Sequence, residues 1–144
     1  MRTLSTLPSF ILEQSERWET IQRTCQNDRS RQGIRIKEFL YMIDERFRNE
    51  KSKSPKYYSS ELHTTPSSLR KDCQQVIKVS PSYCIQTRVI LEAFKMLKDS
   101  NIPIKEIADI LGFVDSAYFT RFFTKHVQLS PSIFRNVLLK IIDT

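Results

Sequence analysis

The chain is 144 residues long, carries a net charge of +7 and contains only two glycines. Its length suits one domain with an appendage and its 40% hydrophobic content suffices for a core, while the scarcity of glycine argues against a hairpin-rich β protein and excludes a glycine-rich phosphate loop. The basic balance predicts attraction to a polyanion, of which nucleic acid is the commonest in a cell.

Met1-Arg2-Thr3-Leu4 leads into no long apolar run, and Phe10-Ile11-Leu12 meets Glu13, Glu16 and Arg17 at once. Neither a secretory leader nor a membrane span is therefore expected. From Phe10 to Cys25, the residues Ile11, Trp18, Ile21 and Cys25 recur at helical spacing behind Pro8-Ser9, which predicts a first helix. Residues 26–32 are polar throughout and end at Gly33, the composition of a linker. Ile36, Phe39, Leu40, Ile43 and Phe47 then line one stripe of a second helix whose other face is charged. It runs out in a basic loop, Lys51-Ser52-Lys53-Ser54-Pro55-Lys56.

Beyond Tyr57 the chain repeats itself. Thr65-Pro66-Ser67, Ser80-Pro81-Ser82 and Ser130-Pro131-Ser132 share one form, and a hydroxyl residue before proline is the N-cap and first-turn pattern of a helix start. The second and third of these lie 50 positions apart. At that offset Leu69 matches Phe119, Cys73 matches Phe123, Val79 matches Leu129 and Cys84 matches Phe134, whereas upstream of the turn the offset is 49. Two copies of one helical unit, the second with one extra turn residue, account for this. Between them Pro81 to about Lys98 reads as a long helix with Ile85, Val89, Ala93 and Leu97 on one face. At 1.5 Å per residue it spans roughly 27 Å.

Each copy has the parts of a helix-turn-helix. In the second, Ile104, Ile107, Ala108 and Leu111 form the stripe of a short helix, with Ala108 small enough for a close crossing. Gly112 supplies a left-handed turn residue, Phe113 is expected to plug between the helices, and Asp115 to cap the next one. That helix turns Phe119, Phe122 and Phe123 inward and shows Ser116, Ala117, Thr120, Arg121 and Thr124 outward. From Ser116 to Ile142 there is no acidic residue, while Arg121, Lys125, Arg135 and Lys140 are basic. A short helix with a small, polar, cationic face fits a major groove, its N-terminal residues meeting base edges. In the first copy Tyr57 to His63 leads, Leu69, Cys73 and Val76 face inward, and Ser67, Arg70, Lys71 and Gln74 face outward. Two such helices enter successive major grooves when about 34 Å apart, which a connecting helix of that length allows, so that one chain reads a bipartite site.

The stretch from Ile102 to His126, followed by Ser130-Pro131 and Phe134-Arg135, closely resembles the signature of the AraC/XylS family of bacterial transcription regulators, and the weaker first unit extends the resemblance over about residues 36–137. The resemblance implies an all-α fold of two helix-turn-helix subdomains joined by a long linker helix, here with an extra N-terminal helical segment. It implies double-stranded DNA as partner, promoter binding, activation through RNA polymerase and a cytoplasmic, nucleoid-associated protein. Base or backbone contacts carry over to Ser116, Ala117, Thr120 and Arg121, and to Ser67, Arg70 and Lys71. The sequence departs from the family pattern at Ser59, His63, Asp72, Cys73, Lys78 and Gln128, the last two standing where glycine is usual. Members usually carry a larger N-terminal sensor domain, so a short regulator and a C-terminal piece of a longer one are both expected readings. The organisation expected is an N-terminal helical segment and linker over 1–32 and a DNA-binding domain over 33–144. Within the latter, the helix-turn-helix units fall at about 57–77 and 104–126 and the linker helix at 81–98. The helix around Trp18 is a candidate dimerisation element.

Other chemistry is poorly supported. Cys25, Cys73 and Cys84 show no paired short spacing, which points to a reducing compartment and no zinc knuckle, with Cys73 and Cys84 on apolar stripes. His63 and His126 lack partners at ligand spacing, and the last turn of a helix favours a cation at His126. No paired carboxylates or nucleophile and base stand out, so neither an enzyme, a metal site nor a cofactor is expected. The alternative is a protein-interaction module that keeps the fold but binds DNA weakly or not at all, motivated by the negative charge of Asp72 on a helix meant to approach phosphate and by the other departures in the first unit.

Overall fold

The computed structural model describes residues 7–49 and 54–143, the side chains of residues 47–49 excepted. The side chain of Phe47 of the expected apolar stripe, and Lys51 to Lys53 of the expected basic loop, lie outside what is described. Eight helices and no strand occur among the described residues: α1 (Leu7–Gln26), α2 (Arg31–Asn49), α3 (Pro55–Glu61), α4 (Pro66–Val76), α5 (Pro81–Leu97), α6 (Ile104–Ile110), α7 (Ser116–Val127) and α8 (Pro131–Ile142). They pack as two compact units. Among the described residues one comprises those between Ser15 and Val89, the other Leu7 to Gln14 with Ile90 to Asp143, so α1 and α5 each contribute to both.

Local chemistry explains the boundaries. Ser54, Thr65 and Ser130 each accept a hydrogen bond from the backbone N–H three residues on, at 3.4, 3.1 and 3.2 Å, and each precedes the proline that opens α3, α4 or α8. Ser80 does the same for α5, from Tyr83 N–H at 3.1 Å. A proline at the first helical position has no N–H to leave unsatisfied, and its fixed φ already suits the helix. Ser54-Pro55 thus starts a helix, where a basic loop was expected.

The polar stretch 26–32 also corrects expectation, because α2 already begins at Arg31. The Asp28 carboxylate accepts from the Ser30 N–H at 2.9 Å and from its hydroxyl at 2.6 Å, and Ser30 Oγ in turn accepts from Gly33 N–H at 3.0 Å. Gly33 therefore sits in the first turn of α2 rather than at the end of a loop. A Cβ there would run into the Asp28 side chain, which is why the position has none.

In the unit Ser15–Val89 the core is built by Trp18, Ile21, Cys25, Ile36, Phe39, Leu40, Ile43, Tyr58, Leu69, Cys73 and Cys84, all buried. Phe39 and Tyr58 meet edge to face with centroids 5.4 Å apart. Val76, expected inside, is half-buried, and Ile77 takes the inner place. Helix α4 packs on α2 and α3.

The other unit has an aromatic core. Phe94 stacks on Phe134 at 4.9 Å with an interplanar angle of 9°, and Phe123 meets Phe134 edge-on at 5.3 Å. Phe10 reaches Phe94 at 6.0 Å. Each such buried ring stabilises by about 1.5–3 kcal/mol through area alone, with edge and stacking contacts adding to it. The repeat is physical here: Phe119, Phe123 and Phe134 occupy the positions held by Leu69, Cys73 and Cys84 in the first copy, and all six are buried. Phe122 is half-buried, beside Phe113 at 5.1 Å.

Candidate nucleic-acid interface

Two helix-turn-helix units are built by α3–α4 and α6–α7, and their turns obey one hydrogen-bond scheme. His63 N–H bonds to Ser60 C=O at 3.1 Å and Thr64 N–H to Ser59 C=O at 2.9 Å. Forty-nine residues later Gly112 N–H bonds to Asp109 C=O and Phe113 N–H to Ala108 C=O, both at 3.0 Å. His63 and Gly112 both take left-handed backbone, at φ 56° and 91°. The residue closing each unit does so as well, Lys78 at 62° and Gln128 at 68°. The departures at His63, Lys78 and Gln128 thus leave the geometry intact, at a conformational cost of about 1–2 kcal/mol each for a residue with a Cβ. Ser59, buried where alanine is usual, donates its hydroxyl to Lys56 C=O at 3.0 Å.

These turns aim α4 and α7. Thr65 and Asp115 cap them, the Asp115 carboxylate accepting from Tyr118 N–H at 2.7 Å. On α4, Ser67, Arg70, Lys71 and Gln74 are all exposed, three to four residues apart on one face. On α7, Ala117, Arg121, Thr124 and Lys125 are exposed, while Ser116 and Thr120 are half-buried. Thr124 donates its hydroxyl to Thr120 C=O at 2.7 Å, which leaves it acceptor capacity only. The Arg121 guanidinium carbon lies 5.6 Å from the centre of the Tyr118 ring, a cation–π approach that orients it along the helix. The aromatic plug is present: Phe113 stands 5.2 Å from Phe119 and 6.0 Å from Tyr118.

Several charges lie elsewhere than the sequence suggests. Asp72 does not face outward. Its carboxylate is 2.8 Å from Arg35 Nη1 of α2, with its side chain only 9% exposed, because an ion pair beneath the helix compensates its removal from water. Arg135 is equally internal in role: Nε donates to Leu97 C=O and Nη2 to Asp99 C=O, both at 3.0 Å, so it closes the C-terminal end of α5. His126, expected as a helix-end cation, is half-buried against Phe122, with ring centres 4.6 Å apart. Burial, then the neighbouring Lys125, pushes its pKa down, so desolvation outweighs the attraction of the helix end.

All three cysteines are free and buried, and burial raises each thiol, Cys73 to about 12. At neutral pH they are packing groups, not nucleophiles. No group of three metal-ligating side chains occurs among the described residues, and no helix among them is long and apolar enough to cross a membrane. Trp18, on the helix expected to pair two chains, is only 7% exposed. The apolar side chain that α1 leaves open is Leu12. Sequence reasoning passed over Arg35, whose partner is 37 positions away, and Val114 and Tyr118, whose exposure no periodicity reveals.

Comparison with known proteins agrees with this architecture. Residues 58–136 match the family described as "Helix-turn-helix domain". The chain is 35% identical over 79 residues to the uncharacterized HTH-type transcriptional regulator YfiF of Bacillus subtilis (strain 168), a match covering 55% of this chain and 25% of that protein. It is 48% identical over 40 residues to the uncharacterized HTH-type transcriptional regulator YijO of Escherichia coli (strain K12), covering 28% of this chain and 14% of that protein. The chain thus spans a quarter or less of these two relatives. Among solved structures, the C-terminal domain of AraT, a response regulator from Geobacillus stearothermophilus, has the same fold, with a TM-score of 0.66 at 23% identity over 74% of this chain and 88% of that one. A DNA-binding transcriptional dual regulator from Escherichia coli K-12 superposes with a TM-score of 0.57 at 20% identity, over 68% and 91% of the two chains. With more than half of its residues inside the family match and the fold in common, the chain belongs to the AraC-type family of helix-turn-helix transcription regulators.

Proposed function

We propose that this chain is a sequence-specific reader of duplex DNA that regulates transcription as an activator, without catalysis of its own, in the cytoplasm at the nucleoid. The observation that carries the reading is the outer face of α7, where Ala117, Arg121, Thr124 and Lys125 stand exposed on a capped helix with no acid from Ser116 to Ile142. Small residues admit the helix to a major groove, Arg121 is suited to a guanine edge, and Lys125 to phosphate. On α4, Ser67, Arg70, Lys71 and Gln74 play the parallel part at a second major-groove segment. The two units, over about 57–77 and 104–126, would be set by the α5 linker to read adjacent segments, with RNA polymerase as the protein partner. Pairing of two chains through α1 would use its Leu12 side, since Trp18 is turned inward. The rival reading, an interaction module with weak or no DNA affinity, loses one of its motives because Asp72 is paired with Arg35 beneath α4.

The test is selection from a random duplex library at moderate salt. A bipartite motif with half-sites one helical turn apart is expected, and its affinity should fall with salt at a log–log slope of about −0.9 per neutralised phosphate. Arg121→Ala should weaken the selected site by roughly 1–3 kcal/mol. No enrichment and no salt-sensitive retention would hand the case to the interaction module.

A further inference from the structure

The two helix-turn-helix units differ by one residue, and the hydrogen bonds identify it. The turn bonds of His63 and Thr64 recur at Gly112 and Phe113 with an offset of 49, whereas the caps Thr65 and Asp115 correspond at an offset of 50. Thr64 is thus equivalent to Phe113 and Thr65 to Asp115, and Val114 is the added residue. It is a β-branched hydrophobe with 84% of its surface exposed, the most open of the large apolar side chains among the described residues. One helical turn further on stands Tyr118, 52% exposed, where the first unit has the exposed Ser68. The first unit keeps the same fold with Ser68 there and no residue at all in place of Val114, so neither exposed apolar group is demanded by the fold. Val114 stands in the turn just before the Asp115 cap and Tyr118 in the first turn of α7 beside the small Ala117, both ahead of Arg121 at the end of α7 that would meet bases.

Resting on the DNA-reading function proposed above, we infer that Val114 and Tyr118 form an apolar edge that selects thymine through its 5-methyl group, making the α7 half-site thymine-bearing and the α4 half-site polar in its readout. The thymine methyl is the only apolar group a base pair presents in the major groove, and the exposed Tyr118 ring, with the Arg121 guanidinium carbon 5.6 Å from its centre, is complementary to a thymine next to a guanine. Asp115 does not oppose this approach, since its carboxylate is turned back onto the Tyr118 N–H. The all-hydroxyl and cationic face of Ser67, Ser68 and Lys71 offers no such contact.

Deoxyuridine tests the idea, because it keeps every hydrogen-bonding group of thymine and lacks only the methyl. Duplexes carrying the selected site, with each thymine of either half-site replaced in turn by deoxyuridine, are titrated with the full chain. At one or two positions of the α7 half-site the affinity is expected to fall about fourfold per methyl, the equivalent of ~0.8 kcal/mol of apolar burial. Replacement in the α4 half-site should cost less than about twofold, within the scatter of independent sites. Val114→Ser and Tyr118→Ser should each bind thymine and deoxyuridine duplexes alike at the position they read, with the melting temperature of Val114→Ser unchanged. Equal affinity of the wild type for thymine and deoxyuridine duplexes overturns the inference while leaving DNA reading intact. A methyl effect that survives both substitutions overturns the assignment to these residues. Absence of any salt-sensitive binding to the thymine duplex removes the DNA-reading function itself.

Discussion

Replacing Arg35 by alanine is expected to be far more damaging than replacing its partner Asp72, although the two form a single ion pair. The contact is 2.8 Å, with the aspartate side chain 9% exposed and the arginine 27%. Arg35→Ala leaves a carboxylate shut away from water without its cation, a situation that costs about 3–5 kcal/mol at buried sites. The partial exposure of the pair places it near the lower end, about 3 kcal/mol. Asp72→Ala leaves instead a long side chain that already reaches solvent and swings into it, for about 1–2 kcal/mol. For a chain of this size, each kcal/mol moves the melting temperature by roughly 3–4 °C, so the first variant should melt about 10 °C below the wild type and the second about 5 °C below. The double variant Arg35→Met with Asp72→Leu should lie within ~1 kcal/mol of the wild type, since apolar groups of similar volume commonly replace a buried pair without loss. Thermal melts followed by circular dichroism measure all three. Equal losses from the two single variants would refute the asymmetry. A tenfold gain of DNA affinity in Asp72→Ala at unchanged melting temperature would place the carboxylate on the DNA face and refute the assignment beneath α4.

Gln128→Gly should stabilise the chain by about 0.5–1 kcal/mol, because φ 68° costs a residue with a Cβ more than it costs glycine; a lower urea midpoint would show the glutamine side chain compensating. Arg135→Ala removes both bonds to the carbonyls at the end of α5 and should cost about 2–3 kcal/mol. Its affinity for a selected DNA site at a temperature where it is folded should barely change, and a specific affinity loss without destabilisation would move Arg135 into the interface. Acidification should weaken the fold through His126. Its folded pKa lies below 6.5, so the unfolded chain takes the proton first, and stability is complete above about pH 6.5 and declines below it. His126→Gln should flatten that decline in melts between about pH 7.5 and 5.5, and parallel curves for both proteins would sink the assignment.

What was legible in the sequence was local. Pro66, Pro81 and Pro131 behind Thr65, Ser80 and Ser130 mark three helix starts, because cap and proline chemistry acts within one turn and needs no distant partner. The same rule held at Ser54-Pro55, where the surrounding lysines disguised it. The outer faces of α4 and α7 could be drawn because a helix with a buried stripe must show its remaining residues to solvent. Gly33 was misplaced because its reason is a side chain five residues earlier, resting where a Cβ would stand.

Charge was the part that periodicity misjudged. Asp72, Arg135 and His126 all look like surface groups in one dimension. Their environments come from Arg35, from the end of α5 and from Phe122, and only the first and second of these pairings span distant parts of the chain. The sequence by itself determined an all-helical chain, two copies of a helix-turn-helix and part of the outer face of α4 and α7, with Ser116 and Thr120 half-buried and Tyr118 exposed against expectation, since helical period and capping are short-range and strong. Tertiary structure alone decided which charges remain available to a partner and that the inserted Val114 stands open to solvent, because burial is a property of neighbours that sequence spacing does not encode.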